Sequence, residues 1–382
     1  MKIAYVTDGR LDGFMADVVH ILQTVDAFTS LGHSVTLFAR QGDLDPADLL
    51  ERYDLAFDPD VALVPGFNWQ KPWFRISKIL NAFRIAREVR IAGGFDLVFG
   101  REPWSLMGLL GLGIPVIFEA HEMPGRLQMP ILRRLFTHKR FARLQVISTS
   151  LRDDYLAAFP NLEQGKVRVV ANGVSAAAIA APAMPTALEG ARQDVLQIGY
   201  VGALYHGKGM EVILPLATDL PACDFHIVGG RSADILTWQE AAPASVHFHG
   251  LQSRAAVFSF IDAFDVVLLP SQPSIQSFSG KTTDYGRWTS PMKLFEYMAR
   301  GKAIIASDLP GIRDVVEDGL NALLVPPEDL DAWQRAVRQL ADDPELRIAL
   351  GRAARDTCEA EFTTLDRARA RLADIEGLET AE

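Results

Sequence analysis

Two short segments of the sequence carry residues that suit a phosphorylated ligand. The first, "GALYHGKGMEVI", begins at Gly202; its glycines keep the backbone open, and Lys208 stands where a helix begins. A lysine beside a helix N-terminus suits a phosphate group, because the helix dipole and the free N–H groups add to the ammonium charge. A surface lysine in a glycine-rich turn would look the same, so this segment needs support from a second one.

The second segment is "SPMKLFEYMARGKAIIAS", residues 290–307, which predicts a short helix followed by an apolar strand. Ser290 is the expected N-cap, Pro291 occupies the first turn, and Gly301 ends the helix. The free N–H groups at the start of this helix, around Met292, would then form a second anion site.

Glu296 lies about one and a half turns into this predicted helix. Its carboxylate could accept hydrogen bonds from two ribose hydroxyls. We therefore predict one nucleotide site, in which Lys208 and the helix start hold a diphosphate and Glu296 holds the ribose. Lys293 is a further candidate for binding the nucleotide sugar. The competing interpretation is that Glu296 pairs with Lys293, three residues earlier, on a solvated face.

Strand-like and helix-like runs alternate along the chain and must position these segments. Short runs rich in Val and Ile, apolar on both faces, are typical of a covered parallel sheet. Such strands are predicted in two successive arrays, at residues 2–7, 34–40, 61–65, 96–100, 114–120, 143–149 and 167–173, and then at 195–202, 224–230, 246–250, 265–271, 303–307 and 321–327. In the first array, helices are predicted at about 14–31, 72–91, 103–111 and 130–142.

An Ala- and Pro-rich stretch after Gly173 separates the two arrays. We predict an α/β protein with an N-terminal Rossmann-like domain over 1–180 and a second one over 181–361. The segment of about 362–382, with a helix at 364–379, lies outside the second array. Two doubly wound domains would face a central cleft, and such sheets bind ligands beyond the carboxyl ends of their strands.

The bulk composition restricts the class of protein. The chain has 382 residues, of which 49% are hydrophobic and 23% charged, as in soluble globular proteins, and its net charge of −10 argues against nucleic acid as a partner. Two cysteines, far apart, predict a reducing compartment without a disulfide framework. The N-terminus lacks the pattern of a signal peptide and no apolar run is long enough for a membrane span. We expect a cytoplasmic protein.

The motifs "VVANGV", "GYVGALYHGKGMEVI", "DVVLLPS" and "SPMKLFEYMARGKAIIASDLPGIRDVVEDGLNALLVPPED" resemble, in order and spacing, the retaining family-4 glycosyltransferases of the GT-B fold. The resemblance is strong over most of the second domain and loose over the first. It implies a nucleotide-sugar donor bound mainly by the second domain and an acceptor held mainly by the first. It also implies that no metal or other cofactor is required, and that the last helix crosses back to the first domain.

The implied function is transfer of a hexose-type sugar from a nucleotide-diphosphate sugar to a glycan or lipid-linked acceptor, as in cell-surface polysaccharide or glycolipid synthesis. Lys208 matches the diphosphate lysine of the family, and Glu296 matches the second Glu of its E-x(7)-E motif, the ribose ligand. Two positions depart from the pattern: Ala203 replaces an arginine, and Trp288 stands where the first Glu is expected. Substitutes for sugar or diphosphate contacts could come from the insert 271–289, namely Lys281, Asp284 and Arg287.

Three strand-end loops of the first domain carry further candidates. "TDGRLDGFMAD", with Gly9 and Gly13, resembles the donor-facing glycine loop of the family, although a tight strand-to-helix turn explains it equally. "FEAHEMP" places His121 where the family has a histidine near the donor sugar; a ring satisfied by local backbone is the alternative. Glu102 and Glu122 could contact an acceptor. His121, Lys208 and Glu296 are the candidate catalytic residues.

We predict no metal site. Asp43 and Asp45 form a D-x-D pattern, but Asp45 is followed by Pro46, which is typical of an N-cap and a first helical residue. No group of His and Cys residues has the sequence spacing of a metal site.

Residues 71–143 carry 13 Lys and Arg against 5 Asp and Glu. Within this zone, "QKPWFRISKILNAFRIAREVR" predicts a helix with an apolar stripe and a polar face; the stripe contains Ile76, Ile79, Leu80 and Phe83, and the polar face contains Ser77, Lys78, Asn81, Arg84 and Glu88. A helix that covers a sheet needs such a stripe for core packing. Alternatively, this zone rests on anionic lipid at the inner face of the membrane while the acceptor is drawn from the bilayer.

Two other functions remain open at this stage. A nucleotide-sugar epimerase can share the two-domain architecture and would use acids such as Glu102, Glu119 and Glu122. A non-catalytic nucleotide-sugar-binding protein would explain Trp288 and Ala203. A dehydrogenase is disfavoured, because neither half contains the dinucleotide fingerprint.

Overall fold

The computed structural model describes residues 1–11, 16–43, 49, 55–67, 73–276, 282–283 and 285–375. The chain divides into two compact units: one contains residues 1–170 and the C-terminal segment from residue 364, and the other contains residues 171–363. Each unit is built on its own parallel sheet, as the two arrays of apolar runs predict. No helix in the described part of the chain is long and apolar enough to cross a bilayer.

The first unit contains a seven-stranded sheet. Its strands are β1 (Lys2–Arg10), β2 (Ser34–Arg40), β3 (Asp60–Val64), β4 (Leu97–Gly100), β5 (Val116–Ala120), β6 (Phe141–Val146) and β7 (Val167–Val169). They lie in the order β3-β2-β1-β4-β5-β6-β7, and all neighbours are parallel. Because the strand order reverses between β1 and β4, the loops after these strands line the crevice where such sheets bind ligands.

Helices follow the strands of this sheet. They are α1 (Ala16–Ser30), α2 (Phe74–Ala92), α3 (Pro103–Leu109), α4 (Met129–Phe136) and α5 (Thr149–Ala158). The apolar residues that predict the strands form the buried core, with Ile3, Tyr5 and Phe99 fully buried. Burial of such side chains contributes about 1.5–3 kcal/mol each, which accounts for the sheet forming where these runs occur.

The second unit contains a six-stranded parallel sheet and a small antiparallel pair. The strands are β8 (Leu196–Val201), β9 (Cys223–Val228), β10 (Val246–Gly250), β11 (Val266–Leu269), β12 (Ile275–Gln276), β13 (Thr282–Thr283), β14 (Ala303–Ser307) and β15 (Leu323–Val325). The main sheet has the order β10-β9-β8-β11-β14-β15. Its order reverses between β8 and β11, so the glycine-rich loop after β8 lies at the switch point.

Helices also separate the strands of this unit. They are α6 (Ala176–Ala180), α7 (Met210–Asp219), α8 (Ser232–Gln239), α9 (Arg254–Ala263), α10 (Met292–Ala299), α11 (Pro310–Arg313), α12 (Leu330–Asp342) and α13 (Pro344–Glu361). Helix α10 ends as predicted: Gly301 adopts φ +62° and its N–H donates to the Met298 carbonyl oxygen at 2.9 Å. A left-handed glycine after the last turn is a common helix stop.

The last helix, α14 (Thr364–Leu372), belongs to the first unit, as the resemblance implies. It packs on α1 and buries Ala368 and Leu372 in the core of that unit. Its carbonyl groups accept hydrogen bonds from side chains of the last two strands. Gln145 donates to the Arg371 carbonyl at 2.6 Å, and Arg168 donates to that of Ala370 at 3.0 Å.

Three predicted boundaries need correction. The helix predicted at 130–142 ends at Phe136, because the chain re-enters the sheet at Phe141. The strand predicted at 167–173 stops at Val169, and Asn172 instead bonds to the Ser290 hydroxyl. The insert 271–289 contains the pair β12–β13, which no periodicity predicts because each strand has only two residues.

Helix α2 exposes part of the apolar stripe that core packing would bury. Ile76 is 44% exposed and Phe83 is 53% exposed, whereas Ser77 and Asn81 of the predicted polar face are buried. Asn81 is buried because its side chain binds both the N–H and the carbonyl group of Phe67. The helix does contact the sheet, but the stripe as a whole does not face the core, because Ile79 and Leu80 are only half-buried.

Candidate functional site

The glycine loop after β8 has a backbone that only glycine accepts at key positions. Gly202 adopts φ +148°, and a Cβ there would clash with the Lys293 ammonium group. Gly209 adopts φ +122° as the residue before α7, and a Cβ there would clash with Pro270. Both φ values lie in the region that L side chains avoid. The loop therefore keeps its backbone open beside Lys293.

Lys208 and Lys293 form a pair of partly buried cations next to this loop. The Lys293 Nζ lies 4.0 Å from the centre of the Tyr200 ring. Burial, together with the charge of Lys208, holds the pKa of Lys293 well below its usual range, and Glu296 opposes this shift. Burial also lowers the pKa of Lys208.

Neither lysine ammonium forms an ion pair with any carboxylate in the described ranges. A partly buried charge without a counter-ion is costly, and two like charges in one space are more costly still. Such a pair is suited to an anionic ligand that the protein itself does not contain. The structure thus places the Lys293 ammonium beside Gly202 and within electrostatic range of Lys208. That the two lysines bind one phosphate ligand stays a prediction.

Glu296 is paired, but with a residue that the sequence does not suggest. Its Oε1 lies 3.3 Å from the Arg254 Nη1, and the two side chains are 12% and 25% exposed. The predicted alternative, a Glu296–Lys293 salt bridge, does not form within the described residues. Arg254 is the first residue of α9, the helix that follows β10. Its position after a strand end was the only sequence signal that could have identified it.

The start of α10 differs from the prediction. The helix begins at Met292, with Pro291 as the N-cap residue and no side-chain cap. Ser290 lies one residue before the N-cap, and its buried hydroxyl accepts a hydrogen bond from the Asn172 N–H at 3.0 Å. Tyr297 anchors the helix to the end of β8, since its hydroxyl accepts from the Val201 N–H at 2.8 Å.

In the first unit, two arginines contact the buried carboxylate of Glu119. Glu119, on β5, is 2% exposed. Its Oε2 accepts from the Arg101 Nε at 2.9 Å and lies 3.4 Å from the Tyr5 hydroxyl, and its Oε1 lies 3.3 Å from the Arg371 Nη2. The two guanidinium groups hold the pKa of Glu119 well below its usual range, against the opposing effect of burial.

Two histidines adjoin this carboxylate. The Nε2 of His121 lies 3.5 Å from Glu119 Oε1 and that of His20 lies 3.9 Å from the same atom. Burial and the Arg101 charge lower the pKa of both rings, so both are neutral near pH 7. His121 is 29% exposed. Its polar neighbour is thus a carboxylate, and not the local backbone that the alternative interpretation proposed.

His20, Glu119 and His121 also have one ligand atom each within 4.8 Å of one another. Sequence spacing did not reveal this group, because His20 lies far from the other two along the chain. Two guanidinium groups share the same carboxylate, and both Arg101 and Arg371 contact His20. A cation placed there would face two positive charges, so the arrangement favours an ion-pair network over a metal site.

Comparisons with known proteins match both units to one family. Residues 18–178 match the family model described as Glycosyltransferase Family 4, and residues 196–343 match the model described as Glycosyl transferases group 1. The chain belongs to glycosyltransferase family 4. Its two parallel-sheet units have the GT-B fold that the resemblance implies.

Relatives of this family-4 chain differ in the extent of the match. The chain is 27% identical over 237 residues to alpha-maltose-1-phosphate synthase of Mycolicibacterium smegmatis, covering 57% of this chain and 58% of that protein. It is 25% identical over 342 residues to phosphatidyl-myo-inositol mannosyltransferase of the same organism, covering 86% and 81%. The chain spans about half the length of the first curated relatives that it matches.

Among solved structures, the chain is similar to Anabaena HepE in complex with UDP and glucose. The TM-score is 0.71 at 14% identity, and the likeness covers 100% of both chains. At this identity the likeness shows the fold alone.

Ala203 and Trp288, the two positions where this family-4 chain departs from the usual motifs, each make a local contact. Ala203 contributes its carbonyl, which accepts from the Tyr200 hydroxyl at 2.7 Å. Trp288 ends a 3-10 helix over Tyr285–Trp288, and its ring meets the Tyr285 ring edge to face. Arg287 in the same turn is exposed. Lys281, Asp284 and Gly13 lie outside the described residues.

The remaining candidates in the first unit have contacts of their own. Glu102 is the N-cap of α3, and its carboxylate accepts from the N–H groups of Trp104 at 3.0 Å and Ser105 at 2.6 Å. Burial, with the nearby charge of Asp8, raises the pKa of Glu102 to about 7. Glu122 is exposed. An acceptor contact by either residue stays a prediction.

Proposed function

We propose that this protein is a retaining glycosyltransferase that moves a hexose-type sugar from a nucleotide-diphosphate sugar to a glycan or lipid-linked acceptor, as in cell-surface polysaccharide or glycolipid synthesis. The observation that carries the proposal is the Lys208–Lys293 pair beside the open loop at Gly202, because two neighbouring ammonium groups suit the two phosphates of one diphosphate. Membership of family 4 supports it.

In this proposal the lysines stabilise the charge that develops on the diphosphate as the glycosidic bond breaks. Glu296 accepts hydrogen bonds from the ribose, and Arg254 holds its carboxylate in place. His121, with a neutral ring, contacts the donor sugar. The acceptor hydroxyl attacks from the face that the diphosphate leaves, which retains the configuration of the sugar. The bond from the sugar to the diphosphate breaks, and the hydroxyl proton passes to the leaving phosphate oxygen.

No metal ion takes part in the proposed reaction. The lysine pair supplies two positive charges at the position where many other transferases need a divalent cation to neutralise the leaving group. Glu119 and Glu102 do not form a general acid and nucleophile of the glycosidase kind, because Glu119 is bound by two guanidinium groups and Glu102 caps a helix.

The experiment that tests the proposal combines binding and turnover. Calorimetry with UDP, GDP and their glucose and mannose conjugates should give a dissociation constant in the micromolar range for at least one nucleotide, and mass spectrometry should detect transfer to an acceptor panel. Incubation without acceptor should give slow hydrolysis; formation of an epimeric sugar would indicate an epimerase instead. Absence of nucleotide binding at millimolar concentration would overturn the proposal.

We further propose that the acceptor is drawn from an anionic membrane surface, to which the protein binds peripherally from the cytoplasmic side. The exposed stripe of α2 supports this, because Ile76 and Phe83 face outward on a helix that also carries exposed Arg84 and Arg87. A relative named for a phosphatidyl-myo-inositol substrate adds support.

Co-sedimentation with vesicles tests the membrane proposal. The wild-type protein should bind vesicles of phosphatidylglycerol and phosphatidylcholine mixed, and bind vesicles of phosphatidylcholine alone weakly. Phe83→Ser should reduce binding to the anionic vesicles. A Leu236→Ser variant, which removes an even more exposed apolar residue from α8 of the second unit, is the matched control. Equal binding to both kinds of vesicle, or by both variants, would contradict the proposal.

A further inference from the structure

We infer that Arg371, on the C-terminal helix α14, is a positioning residue for His121 and acts through the buried carboxylate of Glu119. The inference rests on the proposed function, in which His121 contacts the reacting sugar. If the inference holds, His121 is correctly placed only when helix α14 is docked on the first unit.

The two oxygens of Glu119 bind different partners. Oε2 accepts a hydrogen bond from the Arg101 Nε at 2.9 Å. Arg101 directly follows β4, which is the neighbour of β5 in the sheet. Oε1 faces the Arg371 Nη2 at 3.3 Å and the His121 Nε2 at 3.5 Å. Arg371 and His121 therefore meet at one carboxylate oxygen, and the position of that oxygen depends on both.

This contact is an electrostatic one at 3.5 Å and not a hydrogen bond, and it still favours one orientation of the His121 ring. Because Nε2 faces a carboxylate oxygen, the proton of the neutral imidazole is best placed on Nε2, which leaves the Nδ1 lone pair available to a sugar hydroxyl. Burial and the Arg101 charge lower the pKa of His121, and Arg371 adds to this effect. If Arg371 were lost, Oε1 would have one partner fewer and could turn away from His121.

The side chain of Arg371 is not what attaches α14 to the first unit. Its backbone carbonyl accepts from Gln145 at 2.6 Å, and Arg143 donates to the Ala373 carbonyl at 2.7 Å. Arg168 binds the Ala370 carbonyl at 3.0 Å and the Asp374 carboxylate at 2.7 Å. The helix should therefore remain docked when the Arg371 guanidinium is removed.

A burial argument gives the same assignment. Arg371 is 4% exposed and Glu119 2%, and charges at such depth are tolerated only when they are paired. Arg101 alone would neutralise Glu119. The second guanidinium adds a charge that the carboxylate does not require, and it directs that charge at His20 and toward His121.

Arg371→Gln and Arg168→Gln form a matched pair for the test. Each variant removes one guanidinium group: that of Arg371 lies on α14, and that of Arg168 binds the C-terminal segment from outside it. Only Arg371 contacts Glu119. We expect Arg371→Gln to lower kcat for sugar transfer about tenfold or more with donor KM and UDP affinity within about twofold, because a small misplacement of a catalytic group has effects of this size. Arg168→Gln should keep kcat within about twofold. Arg371→Lys should restore part of the loss.

The second readout is the titration of His121 by NMR, assigned with His121→Gln. Removal of the Arg371 charge should raise the pKa of His121, and Glu119→Gln should lower it, because a cation disfavours the imidazolium and an anion favours it. Arg168→Gln should leave this pKa unchanged. A role of Arg371 confined to helix docking would not produce these opposite shifts.

Two results would overturn the inference. One is a wild-type kcat together with a wild-type His121 titration in Arg371→Gln; the other is an equal loss of kcat in Arg168→Gln at the same melting temperature. If the wild-type protein transfers no sugar at all, the proposed function fails, whereas the titration still decides whether Arg371 and Glu119 control the state of His121.

Discussion

The two charged centres of the molecule are built in opposite ways. In the second unit, Lys208 and Lys293 are partly buried and lie within electrostatic range of each other, and neither meets a carboxylate among the residues described. In the first unit, Glu119 is bound by two guanidinium groups and adjoins two neutral histidines. Unpaired charges of one sign are stabilised by a ligand of the opposite sign, whereas paired charges orient their neighbours. We therefore assign ligand binding to the lysines and positioning to the Glu119 cluster.

The largest effect should come from removing one lysine of the pair, which tests whether the lysines bind a ligand. We expect Lys208→Met to lower kcat/KM for sugar transfer about 10²-fold or more, because a preorganised charge beside the leaving group typically contributes that much. The melting temperature should stay the same or rise, since a partly buried cation and its repulsion of Lys293 are both lost. Steady-state kinetics and thermal unfolding measure the two effects.

Lys302 is the control for this variant. Its ammonium group is also largely buried, but it donates to the carbonyl oxygens of Asp262 and Phe264, both at 2.8 Å. Lys302→Met should therefore lower the melting temperature and leave the donor KM within about twofold. If Lys208→Met were the variant that unfolds, the lysine pair would be structural and the comparison would fail.

The unpaired state of Lys293 predicts proton uptake when UDP binds. Its folded pKa is lowered, so without ligand part of the protein carries a neutral amine as the pH rises, and a diphosphate binds the charged form better. UDP affinity should decrease as pH rises through the folded pKa, and Lys293→Met should bind more weakly with a flatter pH profile. Calorimetry in two buffers of different ionisation enthalpy measures the uptake directly.

Stability without ligand should change with pH in the opposite direction. Between the lowered folded pKa of Lys293 and its ordinary value of about 10.4, the unfolded chain binds more protons. The wild-type melting temperature should therefore rise with pH relative to that of Lys293→Met across this window. Parallel curves for the two proteins would show that Lys293 keeps an ordinary pKa and a counter-ion.

A smaller effect is expected at Glu296, because this carboxylate is already paired with Arg254. Glu296→Ala should weaken UDP binding about tenfold and leave the fold intact, as expected for the loss of hydrogen bonds between a charged group and the ribose. Arg254→Ala should weaken binding less, and a double-mutant cycle should show coupling. Loss of the fold with unchanged affinity would instead favour a structural salt bridge.

The smallest effect is expected at Glu102, whose carboxylate caps helix α3. Glu102→Gln should leave kcat/KM within about threefold, since the side chain caps α3. The folded pKa of about 7 lies above the ordinary value of 4.5, so the folded protein binds more protons between these values. Wild-type stability should fall as pH rises through this window, relative to the variant. Melting curves from pH 4.5 to 8 check this.

Much of the fold and part of the site could be predicted from local patterns. The apolar runs predicted strands in both sheets, and the loop glycines with Lys208 and the stop at Gly301 lie where expected. The cap of α10 was predicted incorrectly, since Pro291 occupies that position and the Ser290 hydroxyl binds Asn172. The contact between Ser290 and Asn172 joins residues far apart in the chain, so the local sequence carries no signal of it.

The sequence by itself determined the two parallel sheets and the loops that end their strands, because strand periodicity, glycine and helix stops act over a few residues. Only the tertiary structure decided that Glu296 meets Arg254, that Arg371 meets Glu119 across 252 positions, and that α2 turns Phe83 outward. These outcomes depend on which side chains satisfy which buried polar group, and that competition is settled only when distant segments pack together.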